Sequence, residues 1–360
     1  MTAADRAGFD AIVVTSLGHL RYLCGYDGRG AYFAPFPLIL VPGRSPIFVV
    51  RQYEEPAVRA HSCIQDLALY TQQFDMPKVF AEVIRACGLE GGRVGFELGC
   101  WNLAPADLNA IQQQLPNLTI ADATRLVPSV WAVKSALEIA TMRDAIEITD
   151  LAVLTFQRLL REGITELEMQ RSIDTEVYAA GGELRSASTT LVFGDRARVP
   201  HGAPTRHPIG NNQPAMIEIG GSKHGYAAGL VRSAVVGRHA ESESVHAIAE
   251  DALNAAIAAI KPGVEAGEVD AAARKVIERA GRPGAFRHRT GYLTGINWGE
   301  RGNISLEPEA TEVLKHNMTL HMPIILFAET GHLVGCSQHV LVTELGAEIL
   351  SSTPHGLHRA

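Results

Sequence analysis

The chain has 360 residues, 46% of them hydrophobic, and a formal net charge of −7. This length exceeds the comfortable size of one hydrophobic core, so two domains are expected. The negative charge argues against nucleic acid and anionic membranes as partners, since both attract basic surfaces. There is no apolar signal core at the start, no membrane-length apolar run and no C-x-x-C pair among the five cysteines, so a cytoplasmic location is expected.

The first third of the sequence alternates short β-branched runs with amphipathic segments. The predicted strands are 10–15, 37–41, 46–50 and 93–97, and the predicted helices are 76–87 and 105–114. This alternation predicts an α/β domain at the N-terminus.

The sequence pattern changes after this region. Ser135 and Glu138 form a capping-box pattern, and apolar residues continue at helical spacing as far as Leu160. One long helix is therefore predicted, and the segment 122–134 is the natural boundary. The predicted domains are 1–128, an N-terminal α/β domain, and 129–360, a catalytic domain.

The second domain contains an internal repeat. Residues 161–181 align without gaps on residues 261–281, with Gly163 falling on Gly263. Each copy predicts a helix, a glycine turn and a second helix, followed by strand-like sequence. We therefore expect a pseudo-two-fold α+β unit with a cleft where its halves meet.

Several landmarks in fixed order carry a resemblance to a known family. They are V-P-H-G-A-P-T (199–205), I-E-I-G-G (217–221), G-Y-A-A-G-L-V-R-S (225–233), R-T-G-Y-L-T-G (289–295) and V-L-V-T-E-L-G-A-E-I-L (340–350). With them, the chain resembles the creatinase/aminopeptidase P family over essentially its whole length. The resemblance implies a creatinase-like N-terminal domain followed by a pita-bread catalytic domain with the internal repeat.

Peptidases of that family hold two metal ions with two Asp, one His and two Glu, which are donors suited to activating water. By resemblance, the matching positions here are Glu218, Gly229, Tyr292, Met322 and Gln338. A single ionised ligand among five cannot hold a dinuclear site. No metal and no cofactor are therefore expected.

The R-T-G-Y segment (289–292) and the W-G-E segment (298–300) resemble ectoine hydrolase, which works without a metal, as creatinase does. This resemblance predicts a metal-independent hydrolase that cleaves a non-peptide C–N bond of a small polar solute, of the cyclic amidine, lactam or guanidino type. Two alternatives stay open: a catalytically inactive binding module, and an Xaa-Pro-type metallopeptidase with unusual ligands.

Three residues are predicted to be catalytic. His201 matches the catalytic histidine of creatinase and would move protons, or it is a hydrogen-bonded loop histidine. Glu218 would act as base, nucleophile or anionic clamp, or it caps a neighbouring backbone group or pairs with Arg232. Tyr292 would donate to a developing oxyanion, or it is a core tyrosine.

Further residues are predicted to bind the substrate, each with a plain structural alternative such as a turn, a core position or a surface ion pair: Tyr32, Asp27, Trp298, Glu300, His321 and Gln338. Arg196 and Arg198 either hold a substrate carboxylate or form a solvated basic loop. The family resemblance implies a homodimer in which the N-terminal domain, with Tyr32 and Asp27, completes the partner's site.

Overall fold

The computed structural model describes residues 2–28, 30–31, 34–72, 75–184, 189–296, 298 and 304–360. They form two compact units, one ending at Trp131 and one beginning at Ala132. Within these ranges, no helix combines the length and the apolar character that a bilayer crossing requires.

The N-terminal unit contains a six-stranded sheet with helices connecting its strands. Its strands are β1 (Ala11–Val14), β2 (Leu38–Leu40), β3 (Ile47–Arg51), β4 (Asp66–Tyr70), β5 (Arg93–Phe96) and β6 (Thr119–Asp122). Its helices are α1 (Thr2–Arg6), α2 (Leu17–Cys24), α3 (Glu55–His61), α4 (Met76–Ala86), α5 (Pro105–Gln114) and α6 (Leu126–Trp131), and a 3-10 turn spans Gln52–Glu54. The strand order is β4-β3-β2-β1-β5-β6, with β2 antiparallel to both its neighbours. The predicted α/β character is confirmed.

The C-terminal unit combines long helices with two five-stranded sheets. Its helices are α7 (Ala136–Leu159), α8 (Glu166–Ala179), α9 (Ala240–Ala259) and α10 (Ala266–Arg279), with 3-10 turns at Gly194–Arg198 and Pro283–Ala285. Its strands are β7 (Glu183–Leu184), β8 (Thr190–Phe193), β9 (Gln213–Lys223), β10 (Tyr226–Val236), β11 (Gly291–Leu293), β12 (Ser305–Leu306), β13 (Thr319–Phe327), β14 (Leu333–Thr343), β15 (Gly346–Ile349) and β16 (His358–Arg359). One sheet has the order β16-β10-β9-β7 with β8 also on β9, and the other β12-β11-β13-β14-β15.

The predicted repeat is visible as two helical pairs, α7 with α8 and α9 with α10, each followed by a long antiparallel hairpin. Gly163 and Gly263 occupy the turns with φ of 83° and 92°, a conformation that side chains rarely adopt. The Ser135–Glu138 capping box begins α7, and the Ser135 N–H donates to the Glu138 carboxylate at 2.8 Å. The fold class predicted from the sequence is therefore confirmed.

The two sheets meet along β10 and β14 through hydroxyl groups. The Val231 N–H donates to Ser337 Oγ at 2.7 Å. The Ser233 hydroxyl donates to the Gly335 carbonyl and accepts the Gly335 N–H, both at 2.9 Å. These serines are buried, where backbone N–H and C=O groups need hydrogen-bond partners. Their hydroxyls supply those partners in place of a direct pairing between the two strands.

Arg232 anchors a distant segment to β10. Its buried guanidinium donates to carbonyl oxygens that include those of Thr353 and Pro354, and burial lowers its pKa to about 10. Asp150 of α7 binds the same segment by accepting from Ser351 and Ser352 hydroxyls.

Candidate active site

Glu218 lies in the middle of β9, paired with Thr190 of β8 and Val231 of β10. Its neighbours Ile217 and Ile219 are fully buried on the opposite face, against α7, since successive strand residues alternate. No described group donates a hydrogen bond to its carboxyl. Loss of hydration raises the pKa of this carboxyl, and a nearby His201 opposes that rise.

Arg232 does not pair with Glu218. It is the strand partner of Ile217, so alternation places its side chain on the face opposite to Glu218, where it is held by the segment 351–354. Among the described residues, Glu218 neither caps a backbone group nor pairs with Arg232, so its carboxylate is left for another partner.

His201 lies on an exposed loop with an unusual backbone. Its φ is 54°, the left-handed region that a non-glycine residue occupies at an energetic cost. The adjacent Gly202 packs on β8, where a Cβ would lie 2.5 Å from Val192 Cγ1. The Leu191 N–H also donates to the Gly202 carbonyl at 3.2 Å. Because β8 pairs with β9 beside Glu218, this packing brings the His201 loop to the carboxylate.

A buried carboxylate, Glu166, organises the same loop. It accepts from the Thr205 N–H and hydroxyl, both at 2.8 Å, and pairs with Arg196 at 3.0 Å. Arg196 in turn donates to the Ala203 carbonyl at 2.8 Å. Arg196 is thus committed to the loop that carries His201, and the prediction that it holds a substrate carboxylate is not supported by its contacts.

Tyr292 of β11 lies beside its cross-strand partner His321 of β13 in the second sheet. Its hydroxyl lies 3.0 Å from His321 Nδ1, and His321 Nε2 lies 2.9 Å from Ser337 Oγ. Burial and the nearby Glu218 raise the pKa of the Tyr292 hydroxyl, although the Arg289 guanidinium over its ring lowers it. Tyr292 therefore keeps its proton at neutral pH and can donate a hydrogen bond.

Trp298 packs against the β9–β10 hairpin. A Cβ on Gly220 would lie 2.9 Å from the indole, and one on Gly229 would lie only 1.7 Å from Cη2. The ring also meets Tyr292 edge to face at 6.2 Å and His321 at 5.4 Å between centroids. The indole thus fills the space that any side chain at position 229 would need.

Gln338 lies away from these residues, and so does Met322. The two are cross-strand partners on β13 and β14, one residue out of phase with His321 and Ser337. The Gln338 amide instead bonds His355 Nδ1 at 2.9 Å. The structure does not bring Gln338 to the site, because a one-residue offset in a strand reverses the direction of a side chain.

Residues that the sequence interpretation missed occupy the inward positions. Ser337 and His339 flank Gln338 on β14, and the His339 ring stacks on His321 at 6.0 Å. His339 Nε2 lies 2.7 Å from Thr294 Oγ1. Counting alternate residues from His321 and its partner strand is the signal that would have found them.

Three further residues were predicted to bind the substrate: Asp27, Tyr32 and Glu300. Asp27 belongs to the N-terminal unit, where it lines a pocket of about 500 Å³ with residues that include Arg21, Glu54 and His61. Tyr32 and Glu300 lie outside the described residues. Their role in a partner's site, and the homodimer itself, stay predictions.

The fold and the site define a hydrolase of the pita-bread class, and comparison with known families agrees. Residues 140–344 match metallopeptidase family M24, and residues 2–131 match the creatinase/prolidase N-terminal domain. Since the first match covers more than half of the chain, the protein belongs to metallopeptidase family M24.

Individual relatives are more distant. An uncharacterized hydrolase/peptidase of Sinorhizobium fredii, y4tL, is 28% identical over 98% of this chain and 92% of its own length. The solved prolidase of Thermococcus sibiricus has a TM-score of 0.90 at 21% identity, covering 100% of this chain and 96% of that one. The Xaa-Pro dipeptidase of Bacillus anthracis has a TM-score of 0.85 at 20% identity, covering 100% and 97%. These solved structures support the fold.

The comparisons correct the predicted activity. A non-peptide C–N bond as the target is wrong, because the family and these relatives are peptidases. They favour the peptidase alternative over the main prediction. They also do not place the chain in the branch of creatinase and ectoine hydrolase.

The metal that the family name implies does not fit the side chains in the described part of this chain. Among the residues in the described ranges, no group of three or more His, Cys, Asp or Glu is arranged to hold an ion. Glu218 is the single carboxylate on its hairpin face, and the Trp298 indole fills the space beside Gly229 where a second carboxylate would lie. A dinuclear, oxygen-rich centre therefore has neither ligands nor room.

Proposed function

We propose that this protein hydrolyses the peptide bond of a short peptide by proton transfer among its own side chains, without a bound metal ion. One observation carries the proposal: in a member of a peptidase family, a carboxylate with no hydrogen-bond donor among the described groups lies near both His201 and Tyr292. A base, a proton carrier and a hydrogen-bond donor are the groups that amide hydrolysis needs.

Addition of water is the first step. The water oxygen attacks the carbonyl carbon while its proton passes to the Glu218 carboxylate, whose raised pKa makes it a stronger base than an ordinary glutamate. Negative charge develops on the carbonyl oxygen, and the Tyr292 hydroxyl donates a hydrogen bond to it.

Breakdown of the tetrahedral intermediate is the second step. Protonated His201 donates to the departing nitrogen, the C–N bond breaks, and the carbonyl reforms as a carboxylic acid. The released amine takes up the proton that the acid product loses, and Glu218 returns its proton to His201, directly or through solvent. One amide and one water thus give one carboxylate and one ammonium group. The exposed position of His201 suits this exchange with solvent.

The proposed substrate is a dipeptide-sized molecule. Support comes from the Xaa-Pro dipeptidase of Bacillus anthracis, which has a similar fold. A dipeptide panel that includes Xaa-Pro members is therefore the first test, with product release followed by mass spectrometry. Elemental analysis should be run on the same protein, purified without chelator.

We expect turnover of at least one dipeptide, unchanged by EDTA, in protein that holds far less than one equivalent of metal. Activity that is lost with EDTA and restored by manganese, cobalt or zinc would overturn the metal-free mechanism. Failure to cleave any member, together with stable capture of another protein, would favour the binding-module alternative.

Substitutions at the site give a sharper test. Glu218→Gln should lower kcat by roughly 10²–10⁴-fold, the range of a general acid–base residue. His201→Asn should also lower kcat strongly. His224→Asn is the matched control, because His224 is likewise exposed, with φ of 50°, but lies in the turn between β9 and β10. Equal activity in the two asparagine variants would remove His201 from the mechanism.

A further inference from the structure

A line of hydrogen bonds runs from the backbone of β10 to Tyr292. The Val231 N–H donates to Ser337 Oγ at 2.7 Å, Ser337 Oγ lies 2.9 Å from His321 Nε2, and His321 Nδ1 lies 3.0 Å from the Tyr292 hydroxyl. Ser337 and His321 are fully buried and Tyr292 is 8% exposed. Each proton in this line therefore has few alternative hydrogen-bond acceptors.

The backbone N–H fixes the direction of the line. Ser337 Oγ accepts from Val231, so its own proton needs an acceptor, and His321 Nε2 is the acceptor within reach among the described groups. The opposite arrangement would leave a buried hydroxyl proton without a partner, at a cost of about 1–3 kcal/mol. His321 thus carries its proton on Nδ1.

The consequence reaches Tyr292. A proton on His321 Nδ1 is donated to the tyrosine oxygen, so the tyrosine O–H cannot point back at the imidazole. It points instead away from His321 and can donate to another acceptor.

The neighbouring imidazole has the opposite arrangement. His339 Nδ1 accepts the Gly229 N–H at 3.4 Å, so its proton is on Nε2 and is donated to Thr294 Oγ1 at 2.7 Å. The Thr294 hydroxyl then donates to the Thr319 carbonyl at 3.3 Å. Two stacked rings with opposite tautomers provide an internal reference for a measurement.

We propose that His321 and Ser337 are positioning residues that turn the Tyr292 hydroxyl proton away from the imidazole and toward the substrate carbonyl oxygen. This inference rests on the proposed function for the identity of the oxygen. The direction of the hydroxyl proton is independent of any activity, so the two can fail separately.

The test is ¹⁵N NMR of histidine-labelled protein at neutral pH, with His321 and His339 assigned through glutamine variants. Wild-type protein should show His321 protonated on Nδ1 and His339 on Nε2. Ser337→Ala should shift His321 toward the Nε2–H form and leave His339 unchanged. Ser233→Ala is the matched control, since Ser233 also bridges β10 and β14 but bonds only backbone atoms of Gly335.

Kinetics complete the test. Tyr292→Phe should lower kcat by roughly 100-fold, as for loss of an oxyanion donor. Ser337→Ala should lower kcat less, without raising KM, and Ser233→Ala should leave kcat unchanged.

An active enzyme with His321 protonated on Nε2 would overturn this inference and leave the proposed function standing. Protein with the Nδ1–H tautomer that cleaves no peptide would remove the proposed function and keep the proton direction.

Discussion

The two long hairpins of the C-terminal unit use their polar side chains in opposite ways. Facing the site, β9–β10 presents one carboxylate, Glu218, without a hydrogen-bond donor among the described groups, beside two glycines that a tryptophan covers. The β13–β14 hairpin presents His321, Ser337 and His339, each bonded on both sides. A bonded group is part of the framework, whereas a half-buried carboxylate without a hydrogen bond is costly and points to an absent partner.

The largest expected effect comes from placing a second carboxylate on the β9–β10 hairpin, at position 229. Gly229→Asp should destabilise the protein by about 3 kcal/mol, because its Cβ would overlap the Trp298 indole. Chemical denaturation would measure the loss, with Gly284→Asp as the control, since no atom lies within 4 Å of a Cβ there. Trp298→Ala in the same chain should recover part of the stability. A Gly229→Asp protein as stable as wild type would contradict the packing described here.

A second prediction concerns the β13–β14 hairpin, whose inward side chains are hydrogen-bonded. Ser337→Ala should destabilise the protein by roughly 2 kcal/mol, because the Val231 N–H and His321 Nε2 both lose their partner in a buried place. Urea unfolding of Ser337→Ala beside wild type checks this. A change below the scatter of the measurement would show that water enters and replaces the hydroxyl.

The two hairpins should also differ in their response to pH. Burial lowers the pKa of His339 to about 3, against 6.5 for an ordinary histidine. Between these values the unfolded chain binds the extra proton, so this residue makes stability fall as pH falls from 6.5 toward 3, by at most about 1.4 kcal/mol per pH unit. His339→Gln, whose amide can still bond Thr294, should reduce this fall in the free energy of unfolding, measured by denaturation at several pH values. An unchanged fall would mean that His339 is not the titrating group.

The smallest expected effect has the opposite sign. Glu218 has a raised pKa, so the native state binds its proton more tightly than the unfolded chain, and its contribution to stability falls as pH rises above the ordinary value. Glu218→Gln should therefore stabilise the protein at pH 7, by about 1 kcal/mol, while lowering kcat. Melting temperatures at pH 5 and pH 7 test this, and a variant less stable than wild type at pH 7 would show that Glu218 has a structural partner.

Much of the framework could be predicted because its signals are local. The Ser135–Glu138 capping box is a contact within one helical turn, and the glycines at 163 and 263 mark left-handed turns that few other residues adopt. Such features depend on neighbouring residues alone, so one sequence is enough to place them.

The site was less predictable because it depends on strand register and distant contacts. Glu218 was recognised from its strand, but Gln338 was selected in place of its neighbours Ser337 and His339, and a shift of one residue reverses a side chain. Nothing local to Gly229 indicates that Trp298, from another element, fills its space. The prediction of a non-peptide C–N bond as the target was wrong, because pocket shape cannot be obtained from residue types.

The anchoring of Arg232 sets an order for synthesis on the ribosome. Its guanidinium bonds Thr353, which is separated from it by 121 residues along the chain. At roughly 5–20 residues per second, β10 waits on the order of ten seconds for that segment to be made. Until then, the Arg232 guanidinium lacks the carbonyl groups of Thr353 and Pro354 that accept its hydrogen bonds and make its burial tolerable. The hairpin that carries Glu218 therefore cannot complete its packing until translation has passed residue 353. A stalled or truncated chain would leave this hairpin exposed to chaperones.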